Sequence, residues 1–129
     1  MRAMEKDRGH VITARGPVEP AALGKVMMHE HLHSDCVDWE KGEPIGEEHP
    51  PTEERRRYLL ENAIPHLENC RQYGMGAYVD VTMPPWRAWP TLYREVSERS
   101  GVHIILATGF YREIELGCYW AKKPEWQLA

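Results

Sequence analysis

Three short runs dense in apolar and β-branched residues, Lys25–Leu32, Ala77–Thr82 and Val102–Thr108, alternate with two stretches of helical periodicity. This alternation constrains the fold more than any other feature. Parallel strands cannot be joined by a tight turn; each crossover takes a dozen or more residues, usually a helix, and runs right-handed. The first helical stretch opens at Thr52, a good N-cap, and repeats Tyr58, Leu59, Ala63, Ile64, Leu67 and Cys70 along one face. Pro65 predicts a kink or a break within it, and Gly74 and Gly76 read as its end. The second stretch, Trp89–Ser100, places Leu92, Tyr93 and Val96 on one side and stops at Gly101. The last two apolar runs are nearly continuous, as in strands covered on both faces. The order strand, helix, strand, helix, strand defines an α/β fold with parallel strands. Periodicity alone leaves an open sheet and a barrel equally available.

Ahead of the first strand, Val11–Ala14 reads as a short strand broken at Gly16-Pro17, with Pro20 and Gly24 marking the next turn. Residues 1–24 are therefore expected to be a loose tail and a small β-hairpin. Residues 25–129 are expected to hold the βα units. The stretch His33–Pro51 is rich in Gly, Pro and acidic residues; loops of that length usually have a functional role.

Composition excludes several classes of function. The net charge is −4 and the densest charged run, Glu53-Glu54-Arg55-Arg56-Arg57, mixes both signs, so no nucleic-acid partner is expected. No apolar run is long enough to span a bilayer, and Met1–His10 is charged, which points to a cytoplasmic protein with no membrane partner. Cys36, Cys70 and Cys118 are odd in number and widely spaced, and read as reduced thiols.

The chemistry concentrates at His29-Glu30-His31, where the first strand ends. Residues two apart on a strand share a face, roughly 6.5–7 Å apart along the backbone. Met27, His29 and His31 are thus expected on one side, and Val26, Met28 and Glu30 on the other. Two imidazoles converging at a strand's C-terminal end can ligate one divalent ion, and in a barrel that end is the active-site face. Glu30 points away and is not expected to be a ligand. Asp80 reads as a hydrogen-bonding residue at a strand end rather than a ligand, and Glu113 is a weaker stand-in. His33 is expected to point into the loop that follows. His10, His49, His66 and His103 have no partner at metal-ligand spacing. The tryptophans Trp86, Trp89, Trp120 and Trp126 could line a pocket mouth or an interface.

Three segments together carry a resemblance: ARGPVEPAALGKVMMHEHLH (Ala14–His33), GAYVDVT (Gly76–Thr82) and GVHIILATGFY (Gly101–Tyr111). In this order and spacing they closely resemble the opening of the phosphotriesterase family within the amidohydrolase superfamily. The resemblance covers nearly the whole chain. It implies the N-terminal part of a TIM (β/α)8 barrel, with about three parallel strands preceded by a short β-hairpin. It also implies a divalent metal, zinc first, held in part by His29 and His31, and it places Tyr111 where the lactonase branch carries an active-site tyrosine that contacts substrate. The implied reaction is hydrolysis of a phosphoester, lactone or ester by metal-activated water, without a covalent enzyme intermediate.

The chain also departs from the family pattern. The bridging lysine or glutamate, two later histidines and a last-strand aspartate fall downstream of the third strand, beyond Ala129. A catalytic zinc normally has three protein ligands, and a complete barrel takes about 250 residues where 129 are present. The expectation is a truncated barrel, inactive alone and prone to self-association through its open edges. No catalytic base is assigned. Two alternatives stay open: a non-catalytic binding remnant with weak metal affinity, and an unrelated open α/β sheet in which the His-Glu-His triplet is accidental.

Overall fold

The computed structural model describes residues 9–33, 37–38, 43–44, 52–82 and 89–108. The first hairpin pairs β1 (Val11–Thr13) antiparallel to β2 (Gly16–Val18). Its tight turn is held by Thr13, whose Oγ1 donates to the Gly16 carbonyl at 2.8 Å and accepts from the Arg15 amide at 3.2 Å. A single 3-10 turn, Pro20–Ala22, leads into β3 (Lys25–Glu30). Within the stretch read as a long loop, β4 (Val37–Asp38) and β5 (Glu43–Pro44) form a minimal antiparallel ladder. There follow α1 (Glu53–Gln72), β6 (Met75–Asp80), α2 (Pro90–Ser100) and β7 (His103–Leu106).

The three major strands form one parallel sheet in the order β3-β6-β7. Space follows chain order without reversal, and both crossover helices cover the same face. Leu59, Leu60 and Ile64 of α1 and Leu92, Tyr93 and Val96 of α2 join Tyr78 and Ile104 in a single buried cluster. An open doubly wound sheet reverses its strand order and places helices on both faces; helices all on one outer face belong to a barrel wall. The two helices are cross-linked where the Arg56 Nη2 donates to the Glu95 carboxylate at 2.6 Å. The sequence reading of an α/β fold with parallel strands thus matches the architecture.

Several local expectations are corrected. The α1 helix runs unbroken through Pro65. The proline sits on the exposed face, so water can satisfy the carbonyl that its missing N–H leaves free. Gly76 does not end the helix; it is the second residue of β6. A Cβ there would lie 2.1 Å from the Leu23 carbonyl oxygen, so only glycine lets the segment before β3 cross this strand. Gly74 does fall in the turn after α1, at φ 88°.

The alternation of β3 also breaks. Met27 pairs with Tyr78 and Glu30 with Asp80, so three steps on β3 oppose two on β6, with a register shift between Met27 and Glu30. Partners in a ladder share a face, which places Met27 beside Glu30 on the side of Tyr78 and Asp80, not with the histidines.

At the N-terminus of α2, Trp89 adopts the left-handed region at φ 55°. Pro90 disfavours the helical region for the residue before it. The Trp89 carbonyl still accepts from Leu92 N at 2.9 Å, which starts the helix, and its ring is buried. Gly101, at φ 73°, closes the other end by donating to Ser97 O.

Among the described residues β3 pairs only with β6, and Met27 and Met28 are 47 % and 70 % exposed. The free edge of β7 is partly blunted, because the Ala14 amide of the hairpin turn donates to Ile104 O at 2.8 Å. An apolar strand with an unpaired edge is a template for pairing with another chain. The chain is therefore expected to associate with rising concentration in sedimentation velocity, and Met28→Lys is expected to shift it toward monomer. A wild-type chain that stays monomeric at all concentrations would contradict this.

Candidate functional site

The His29 and His31 rings leave the end of β3 on the same side. Their centroids are 5.4 Å apart with the ring planes at 73°. Glu30, between them, pairs with Asp80 in the ladder, and its carboxylate acts on Tyr78 of the same strand β6. A tetrahedral zinc with nitrogens at about 2.0–2.1 Å would hold two imidazole centroids about 5 Å apart, so the separation suits two ligands of one cation.

The segment is fixed by a buried carboxylate. Asp80, the last residue of β6, has no solvent exposure. One of its oxygens accepts from the Leu32 amide at 2.8 Å, the other from the Thr82 amide at 2.9 Å. The Val81 amide donates to Glu30 O at 3.0 Å, and the Ala107 amide donates to Asp80 O at 2.9 Å. The ends of all three parallel strands are thereby tied together. Asp80 is a structural hydrogen-bonding residue, as the sequence suggested. Thr82 completes the arrangement: its Oγ1 lies 2.7 Å from His31 Nδ1. Sequence reasoning missed this contact. Its signal is the hydroxyl two residues after the strand-end aspartate in the GAYVDVT segment, but the pairing spans 51 positions.

The other histidines have separate roles. His33 does not point into the loop; it is buried, with its ring 5.5 Å from both Trp89 and Tyr93. The apolar Leu32 beside it packs on the core and draws the chain inward. His10 pairs with Glu19 at 2.9 Å. His103 lies at the opposite end of the sheet, where burial and then the Arg15 guanidinium hold it below the ordinary imidazole range. His66 is exposed on α1 and lines a cavity of about 350 Å³ between that helix and β3, whose rim includes His31 and Tyr78. Burial, reinforced by Asp80 and Glu30, pushes the Tyr78 phenol far above its usual range, so it is neutral at any physiological pH.

Among the described residues no group of three or more His, Cys, Asp or Glu side chains is placed to share a cation. The pair fits part of a metal shell and not a whole one. Tyr111 and Glu113 lie outside the described residues, as do His49, Cys36, Cys118, Trp86, Trp120 and Trp126. Cys70 is a free, exposed thiol. Among the described residues no helix is long and apolar enough to cross a membrane.

Comparison with known proteins adds independent information. The profile of the phosphotriesterase family matches residues 9–124. An N-acetyltaurine hydrolase of Tetraodon nigroviridis is 34% identical over 124 residues, a match covering 80% of this chain and 35% of that protein. A phosphotriesterase homology protein of Mycobacterium tuberculosis is 28% identical over 99 residues, covering 77% of this chain and 28% of that protein. Among solved structures, a double mutant of the organophosphorus hydrolase from Deinococcus radiodurans superimposes with a TM-score of 0.65 at 27% identity, covering 80% of this chain and 29% of that chain. The chain therefore spans about a third of the length of the relatives that it matches.

The tie at Asp80 can be tested directly. Hydrogen bonds to a charged acceptor contribute about 1.5–3 kcal/mol each, and their loss would leave two amides without partners. Asp80→Ala is expected to lower unfolding free energy by about 3 kcal/mol or more in urea titration, and to abolish hydrogen-exchange protection at Leu32 and Thr82. Retained protection at both amides would contradict the role.

Proposed function

Since this chain belongs to the phosphotriesterase family, we propose that it contributes the first three parallel strands, with their two crossover helices, and one pair of metal ligands to a metal-dependent hydrolase acting on a phosphoryl or acyl centre. His29 and His31 are the residues that would hold the cation, zinc being the first candidate because imidazole suits it well. The observation that supports this reading is the pair of rings on one side of the β3 end, 5.4 Å apart, with the Nδ1 of one already engaged by Thr82. A bound divalent cation supplies Lewis acidity to the scissile oxygen and lowers the pKa of water toward about 7.

The chain's own residues perform the supporting work. Asp80 holds the strand ends in register, and Thr82 orients His31. Glu30, facing Tyr78, is kept out of the ligand set. Tyr111 would contact the substrate, as the family resemblance implies. The candidate substrates are organophosphates, lactones and carboxylic esters, joined by amides in view of the N-acetyltaurine hydrolases among the relatives.

A second reading, a binding remnant without catalysis, is favoured by one observation: among the described residues the ligand shell stops at two imidazoles. Turnover distinguishes the two. The chain alone, with zinc added, is expected to show no hydrolysis of paraoxon or a γ-lactone above the buffer rate. It should nonetheless bind zinc in equilibrium dialysis, weakened at least about tenfold by His29→Ala or His31→Ala. Hydrolysis is expected only when the remaining barrel segments of a relative are supplied in trans. Zinc binding indifferent to both substitutions would sink the metal assignment. Continued absence of hydrolysis in the completed barrel would favour the binding remnant.

A further inference from the structure

We propose that Thr82 is a positioning residue that fixes the tautomer of His31, and that Asp80 is the clamp holding Thr82 in place. The inference deepens the metal reading above and rests on it for its purpose, though not for its test.

A neutral imidazole carries one proton, and the hydrogen bond made by one ring nitrogen decides which nitrogen is left bare. His31 Nδ1 lies 2.7 Å from Thr82 Oγ1. If the hydroxyl accepts from Nδ1–H, the Nε2 lone pair is free to ligate. If the hydroxyl donates instead, Nε2 carries the proton and cannot bind a cation. His31 is exposed beyond this contact, so the ring's other nitrogen is available to a ligand.

Thr82 itself is buried and anchored through its backbone. Thr82 is 3% exposed and its amide is bound to Asp80 Oδ1 at 2.9 Å. Asp80 Oδ2 takes the Leu32 amide at 2.8 Å, the residue next to His31. The carboxylate thus grips the backbone beside both members of the pair. A carboxylate with no solvent exposure, accepting from two amides at two different strand ends, ties the backbone of Thr82 to the backbone beside His31. No direct carboxylate–imidazole bond is needed, since the positioning passes through the chain and the hydroxyl.

The test is long-range proton–nitrogen correlation NMR of the metal-free full chain at about pH 8, above the ordinary imidazole range. His31 is expected as the Nδ1–H tautomer in wild type and in Thr82→Ser. Thr82→Val, which keeps shape and removes the hydroxyl, is expected to shift His31 to Nε2–H and to weaken zinc binding about tenfold. His31 found as Nε2–H in wild type, or as Nδ1–H still in folded Thr82→Val, would overturn the proposal. If Thr82→Val does not fold, the tautomers in wild type and Thr82→Ser decide alone. Zinc that leaves the His29 and His31 ring nitrogens of wild type unshifted would defeat the metal reading, while the tautomer still decides the role of Thr82.

Discussion

A carboxylate without water has to be satisfied by the protein, and Asp80 is satisfied by two backbone amides on different strands. Burying a charge without partners is prohibitive, whereas one that accepts two amide bonds becomes a rigid joint. This joint determines where β3 ends relative to β6. It therefore determines where the His29 and His31 rings can go and places Thr82 against one of them. The wider packing serves the same end. Both helices cover the sheet's outer face, so the ends of the parallel strands line up on one rim.

The strand-helix alternation was legible because crossover length and apolar periodicity are local properties. The proximity of the His29 and His31 rings was also legible, although the register shift between Met27 and Glu30 spans His29. Asp80 was read correctly as a structural acceptor, because an acidic residue inside a β-branched run has few other stable roles. What was not legible depended on distant neighbours. Gly76 looks in sequence like any helix-terminating glycine; only the Leu23 carbonyl crossing above it shows why glycine is required. Met27 changed face because of a register shift that no periodicity predicts. His33 turned inward because Trp89 and Tyr93 offer it a stacked pocket. The Thr82 contact with His31 joins positions 51 apart, and no local pattern pairs the two.

In the proposed reading, His29 and His31 supply only part of a metal centre. Two imidazoles at a suitable separation give a cation a place to begin, but a working centre requires a further ligand and an open position. The matched relatives are about three times as long as this chain. The exposed methionines of β3 agree with this picture, being apolar residues on a strand that has one neighbour among the described residues. The three parallel strands and their two helices thus resemble part of a barrel wall.

The most direct test of the proposed metal centre is the X-ray absorption spectrum of zinc added to the chain. Two imidazole nitrogens at about 2.0–2.1 Å, with oxygen completing the shell, are the expected result, and His31→Ala should remove one imidazole. A shell without imidazole scattering, or one that His31→Ala leaves unchanged, would contradict the account.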